Sequence, residues 1–258
     1  MPDAPRTKPP SPAVAQAMAV LRLLGSAGAP LGVTTIARQL GLGPSTAFNL
    51  LKTLAADEMV EFDPATKRYA LGFGTLDLVR MTLASDLAIP VARPMMEELA
   101  SRHDAAVGLW RRSGRDRLVL VALAENEATT RIHMAVGQRQ PLGAGAAGRA
   151  VLSVLDPDRE RLAELIGRVR WQNEPGVDEY ASQMFRARSN GYATDLGALN
   201  SGIFTVAAAI STATPASHCL SMSFFSGTAD ARGIEAMGRD VAAKAADITA
   251  RLSGPTRI

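Results

Sequence analysis

Ser45, Thr46, Phe48, Asn49, Lys52 and Thr53 recur on one side of a segment that opens at Pro44, while Ala47, Leu50, Leu51 and Leu54 recur on the other. The second set is spaced i, i+3, i+4, i+7, which marks the buried stripe of a helix whose polar side stays free. The chemistry of that free side suits duplex DNA. Hydroxyls near a helix start donate to phosphate, an asparagine carboxamide pairs bidentately with adenine, and a lysine neutralises phosphate charge. Arg38 upstream and Lys67-Arg68 downstream supply further cations.

These side chains need a frame, and the flanking sequence provides one. Val14, Ala17, Met18, Leu21 and Leu24 recur at helical spacing until the Gly25 to Pro30 stretch ends the run. Thr34 or Thr35 is expected to cap a short helix, Ile36 to Leu40, stopped by Gly41. Two short helices around a glycine-containing turn make a helix-turn-helix, whose second helix is the usual major-groove reader. Met59 to Phe62 reads as a strand, Asp63 to Lys67 as a turn and Arg68 to Leu71 as the returning strand. The basic hairpin makes the unit a winged helix-turn-helix, expected over residues 13–75. Residues 1–12, with prolines at 2, 5, 9, 10 and 12, are expected to form a disordered, mildly basic arm.

Charge alone is a weak guide. The chain of 258 residues carries 28 Lys/Arg against 25 Asp/Glu, and residues 1–80 hold eight against six. So small an excess implies weak DNA binding by one head, and pairing of two heads becomes a physical requirement.

Other function classes fare worse. The single Cys219 excludes an internal disulfide, and three scattered histidines do not supply a Cys/His zinc site, so no metal or cofactor is expected. No G-x-S-x-G, H-E-x-x-H or G-x-x-x-x-G-K-[ST] occurs, and His103, His133 and His218 pair with no evident nucleophile. No apolar run is long enough for a membrane span, and the first residues lack a secretory layout, so a cytoplasmic location is expected. Gly143 to Gly148 reads literally G-x-G-x-x-G, but Gln138 to Leu142 before it reads as a proline-containing loop, which disfavours a dinucleotide fold. Small residues opening a helix still let a ligand approach unpaired backbone N–H groups, where a carboxylate fits.

The rest of the chain reads as mixed α/β with antiparallel neighbours. Residues 88–254 are expected to form a second domain. Leu87 to Arg102 is amphipathic through Leu87, Val91, Met95 and Leu99. Strands are expected at Ala105 to Arg111, Arg117 to Ala124, Arg131 to Val136, Ile203 to Ile210 and His218 to Phe225. Helices are expected at Pro157 to Gly167, Asp178 to Asn190 and Arg232 to Leu252.

The stretches VLRLLGSAGAPLGVTTIARQLGLGPSTAF and LLKTLAADEMVEFDPATKRYALG closely resemble the DNA-binding half of the IclR family of bacterial transcriptional regulators. Val136 to Leu142 running into Ala144 to Ala150, then Gly191 to Asp195, Gly202 to Ala208 and Leu220 to Ser223, follow that family's order. The resemblance implies an α+β chain: an N-terminal winged helix-turn-helix, a linker helix over residues 76–87 and a C-terminal GAF-like α/β effector-binding domain. It implies a homodimer or dimer of dimers that binds a double-stranded DNA operator, regulates a catabolic operon as a repressor, and responds to a small organic or aromatic acid. Within it, the effector pocket lies between the helix start, with backbone donors at Ala146 and Ala147, and strands near Asp195, Thr205, Ser221 and Ser223. Asp195 is expected either to accept from a ligand hydroxyl or to fix a neighbouring group. Trp110, Met134, Leu142, Phe204 and Met222 are candidate apolar walls. Two positions depart from the family: Phe48-Asn49 stand where His-Arg is frequent, and Phe224-Phe225 where Gly-Pro is usual. The alternatives are a hydrolase on the GAF-like domain and an architectural DNA binder without a ligand.

Overall fold

The computed structural model describes residues 11–84, 86–126, 132–212 and 214–253. The chain divides between Ser85 and Asp86 into two compact units. Residues 1–10 of the expected arm and Arg131 lie outside the described residues.

The N-terminal unit runs α1 (Pro12–Ser26), β1 (Leu31–Gly32), α2 (Val33–Leu40), α3 (Pro44–Ala56), β2 (Val60–Asp63), β3 (Arg68–Leu71) and α4 (Gly74–Ala84). Its antiparallel sheet has the order β1-β3-β2. Val20, Leu24, Ile36, Leu51, Val60 and Tyr69, from α1, α2, α3, β2 and β3, form the core. Ala47 and Leu51 are fully buried, and burying a leucine is worth about 1.5 to 3 kcal/mol, enough to fix which side of α3 faces inward. α1 starts earlier than its apolar spacing suggests because Pro12 suits a first helical turn. The expected threonine cap is wrong: β1 precedes α2, Gly32 occupies the cap position, and Thr34 and Thr35 lie inside the helix. A two-residue strand is too short to leave a periodic signal, so its effect on the helix start was invisible.

The C-terminal unit contains α5 (Ala88–His103), β4 (Ala106–Ser113), β5 (Arg117–Ala124), β6 (Arg139–Pro141), α6 (Gly145–Leu155), α7 (Arg159–Gly167), α8 (Val177–Asn190), β7 (Ala193–Leu196), β8 (Ile203–Ile210), β9 (His218–Phe225) and α9 (Ala231–Ser253). One six-stranded sheet, ordered β6-β5-β4-β9-β8-β7, is antiparallel throughout. Strand residues alternate between its faces. Trp110, Leu118, Leu120, Ala207 and Cys219 pack with α6, α7 and α8 on one face. α5 and α9 pack against the other.

Three expectations fail in this unit. Leu87 is 71% exposed because α5 begins after it, and Ala88, Ala92, Met95, Met96 and Leu99 make the buried side instead. The expected strand at 131–136 is not one: residues 132–135 run unpaired into a turn at Val136-Gly137, so His133 is not in a strand either. The strand is β6, in the stretch read as a loop; its Pro141 sits at the sheet edge, where a missing N–H is tolerated.

Candidate functional site

On α3, Ser45, Thr46, Asn49, Lys52 and Thr53 are exposed and Phe48 is 50% exposed, so the expected reading side is open to solvent. Gly43 occupies the cap position with no side-chain hydrogen bond, and Pro44 follows. The first N–H groups of α3 are thus left for an external acceptor, which the helix dipole biases towards an anion. Thr53 is spent locally, its hydroxyl donating to the Asn49 carbonyl at 3.1 Å. Arg38 is exposed in the last turn of α2.

The wing is a constrained turn. Asp63 accepts the Ala65 N–H at 2.8 Å and the Thr66 hydroxyl at 2.6 Å. The Thr66 hydroxyl, then the Ala65 amide, hold the Asp63 carboxyl below its ordinary range. Lys67 follows in the left-handed region, φ 56°, which the turn imposes. Arg68 is exposed, and its guanidinium reaches the Pro30 carbonyl at 3.5 Å. The exposed cations of the turn are therefore presented on a defined backbone.

The C-terminal unit contains a cavity of about 380 Å³ between the start of α6 and one face of the sheet. Ala146, Ala147, Asp195, Thr205, Ser221 and Ser223 all line it, although they come from four separated elements. Strand register explains the convergence: Thr205 pairs with Ser223 across β8 and β9, and Ser221 pairs with Gly108 across β9 and β4. Thr205 and Ser223 share a hydrogen bond of 3.0 Å, which consumes one of their two hydroxyl hydrogens. The Trp110 indole N–H donates to Ser221 at 2.9 Å, fixing a ring that lines the cavity.

At the α6 start, Ala144 offers no side-chain cap, and the first backbone acceptor in the helix serves Gly148. The Ala146 and Ala147 N–H groups are donors without an intrahelical acceptor. Their glycine neighbours serve packing. A Cβ at Gly148 would stand 2.5 Å from Gly143 C and Leu142 O, one at Gly143 would stand 2.9 Å from Leu165 O, and Gly145 has φ 59°. β6 does precede these glycines, but it is an antiparallel edge strand, so the G-x-G-x-x-G is no dinucleotide fingerprint.

The apolar walls are partly those expected. Trp110 and Met134 line the cavity, as do Ile132, Leu199, Ile203 and Phe225. Leu142, Phe204 and Met222 do not. Leu142 and Met222 are buried in the core, and Phe204 packs edge-on against Phe224 at 6.3 Å. The parity of β8 and β9 turns Phe204 and Met222 away from Thr205 and Ser221, a distinction invisible before register is known. Phe225, at a position where the sequence departs from its family, forms part of the rim.

Sequence reasoning missed Arg149. It is the largest fully buried side chain, bonded to the Asp195 carboxylate at 2.6 Å and to the Gln183 carboxamide oxygen. It lies 4.9 Å from the centre of the Tyr180 ring and 5.5 Å from that of Trp171. Burial pushes the Tyr180 phenol up, so it stays protonated and donates to the Gly143 carbonyl at 2.8 Å. The signal was available: a lone cation inside the otherwise uncharged Gly145–Leu155 helix demands a buried partner. No Lys or Arg lines the cavity among the described residues, and His133, Gln138, Gln140 and Asn200 complete its polar lining.

A winged helix-turn-helix with an open reading helix, on one chain with a cavity-bearing α/β unit, defines the class of DNA-binding transcriptional regulators with a sensory domain. Residues 81–250 match the family model of the bacterial transcriptional regulator IclR C-terminal domain, and residues 13–64 match the IclR helix-turn-helix domain. The chain belongs to the IclR family; it is a transcriptional regulator and not an enzyme. It is 33% identical over 204 residues to the glycerol operon regulatory protein of Streptomyces coelicolor, covering 76% of this chain and 77% of that one. It is 30% identical over 233 residues to the HTH-type transcriptional repressor AllR of Salmonella typhi, covering 83% and 84%. An IclR transcriptional regulator from Alicyclobacillus acidocaldarius superposes with a TM-score of 0.78 at 25% identity, over 95% of this chain and 99% of that one. An IclR homologue from Microbacterium hydrocarbonoxydans, solved with 4-hydroxybenzoate, shares the fold at TM-score 0.75 and 18% identity, over 92% and 98%.

Proposed function

We propose that this regulator is a repressor of a catabolic operon that binds its operator through α3 and the wing of paired protomers and senses a small organic or aromatic acid. The observation that carries the reading is the convergence in one cavity of free α6 amides at Ala146 and Ala147 with the Thr205–Ser223 hydroxyl pair. Those groups suit a carboxylate, and Trp110, Met134 and Phe225 suit an apolar or aromatic body. The lack of a lining cation among the described residues favours a monoanion over a phosphate ester. Ser45, Thr46, Phe48, Asn49 and Lys52, with Arg38, Lys67 and Arg68, form the DNA face. The repressor named among the relatives and the hydroxybenzoate seated in a neighbour of like fold support both halves of the reading.

Pairing of protomers, as a homodimer or a dimer of dimers, is supported by α4 and its approach. Phe73, Leu76, Val79 and Met81 are exposed there, an apolar set that a second copy would cover. Ligand binding then alters the spacing of the two heads, and the second half-site contact, made intramolecular by pairing, is lost. Such a protein works in the cytoplasm, where its operator is.

The test is a thermal-shift and DNA-anisotropy screen with acetate, benzoate and 4-hydroxybenzoate on the full chain. A true effector at a hundred times its dissociation constant should stabilise by about 2.7 kcal/mol and shift the DNA midpoint. Failure of every acid to do either would refute the acid-sensing reading.

A further inference from the structure

Phe48 is the one large apolar side chain of α3 that stands exposed, among the polar side chains Ser45, Thr46, Asn49 and Lys52. Leu51 of the same helix lies in the core of the N-terminal unit and Leu54 packs against that core, whereas Phe48 takes no part in it among the described residues. Its ring pairs with no other aromatic ring among those residues either; the exposed Phe62 of the same unit, by contrast, leans on Tyr69 at 4.7 Å. Half of a phenyl ring is thus held in water on the side of α3 that carries the candidate base and phosphate contacts.

Its position says what the ring can meet. Phe48 is the fifth of the thirteen residues of α3, in the part of a reading helix whose side chains reach base edges. Ser45 one turn back and Lys52 one turn on share its side of the helix. In the major groove the base edges present hydrogen-bond donors and acceptors, and only thymine presents a methyl group. A phenyl ring set against a donor or acceptor would strip it of water and return no hydrogen bond; set against the methyl, it removes apolar surface of both partners from water. Ala47 is buried and cannot serve, which leaves the Thr46 methyl as the rival near the helix start.

We propose that Phe48 is a specificity-determining residue that reads the 5-methyl group of a thymine in each operator half-site. The inference rests on the reading of α3 as the DNA-facing helix and adds the base group that this helix recognises. An uncharged ring contributes to sequence preference and not to the salt-dependent attraction that all duplexes share.

Deoxyuridine in place of deoxythymidine deletes this methyl and leaves base pairing intact. The probe is the duplex that the full-length chain enriches from a random pool, with each thymine changed to deoxyuridine in turn, in both half-sites together. Wild type should bind one of these duplexes about fourfold more weakly per half-site, hence roughly fifteenfold for two, the effect of returning one methyl group to water at each. Phe48→Ala should bind the parent duplex more weakly than wild type and should not tell it from its deoxyuridine form. Phe48→Leu, which keeps an apolar side chain in place, should retain part of the discrimination, and Thr46→Ser should retain all of it. On a random-sequence duplex of equal length both Phe48 variants should match wild type in affinity and salt slope.

A wild-type affinity indifferent to deoxyuridine at every position, a selected site that holds no thymine, discrimination that survives in Phe48→Ala, or discrimination lost in Thr46→Ser would each overturn the assignment. Asn49→Ala and Lys52→Ala, measured on the same duplexes, judge the α3 reading separately. If they alter base preference and salt slope while deoxyuridine changes nothing, the methyl contact alone is lost. If the chain enriches no sequence, the α3 reading and the Phe48 inference are refuted together.

Discussion

Gly148→Ala should destabilise the C-terminal unit although alanine is the better helix former. The added Cβ would lie 2.5 Å from Gly143 C, 2.5 Å from Leu142 O and 2.9 Å from Gly143 O, all backbone atoms that have no rotamer to escape into. Contacts below 3.0 Å essentially never occur for a real Cβ, so α6 must move from the 142–143 backbone by at least several tenths of an ångström. Overpacking of this kind costs about 1 to 3 kcal/mol, and helix propensity returns about 1, so a net loss of up to about 2 kcal/mol is expected. The same shift displaces the Ala146 and Ala147 amides, so effector response should fall with stability. Gly167→Ala is the control, since nothing lies within 4 Å of its Cβ at the end of α7 and it should be neutral or stabilising. Urea unfolding followed by far-UV circular dichroism, with DNA affinity measured alongside, separates these effects. A Gly148→Ala protein as stable and as responsive as wild type would show that the close approach of α6 to its preceding loop is not the constraint described.

Three further outcomes follow from the geometry. Ser221→Ala leaves the buried Trp110 N–H without its acceptor, which should cost about 1 to 3 kcal/mol and shift Trp110 fluorescence. It should also blunt ligand response while ligand-free DNA affinity stays near wild type. Asp86 bonds His218 at 3.0 Å and lies 3.6 Å from Arg111. Burial alone would raise its carboxyl, but the His218 bond and charge, the Ala88 amide and Arg111 together hold it below its ordinary 3.8. Its contribution is therefore present above that value and is lost as pH falls through the lower folded value. Asp86→Asn should cost about 1 to 3 kcal/mol near neutral pH, with the gap from wild type closing as unfolding is repeated below pH 3.8. Cys219 is fully buried and its thiol is pushed up by burial, so an aromatic disulfide reagent should leave it unmodified in the native protein and label it only on unfolding.

The strongly periodic parts of the fold were legible from residues alone. The β8 and β9 boundaries fall at the expected residues because largely apolar runs are bracketed by turn residues, and the α3 stripe identifies its inner side without structural help. Short elements were not legible. β1 has two residues and β6 three, and both exist because a neighbouring strand offers a free edge, which is a tertiary fact. The six expected pocket residues do meet in one cavity, yet their grouping came from family resemblance, since residues as far apart as Ala146 and Ser223 share no local pattern. What the resemblance lacked was orientation. Strand parity excludes Phe204 and Met222 from the walls, while Asp195 lines the cavity and also accepts from Arg149 and from three backbone N–H groups of the turn that follows it.

The most direct test of the account is selection of binding sites from a pool of random duplexes by the full chain, followed by salt titrations on the selected duplex with wild type, Asn49→Ala and Lys52→Ala. Wild type should enrich a two-part symmetric sequence. Asn49→Ala should lose about 1 to 3 kcal/mol of discrimination at one base position per half-site, and Lys52→Ala should bind all sequences more weakly with a salt slope shallower by about one per protomer. A wild-type protein that enriches no sequence, or two variants that match it in preference and salt dependence, would contradict the assignment of the exposed α3 face as the DNA reader.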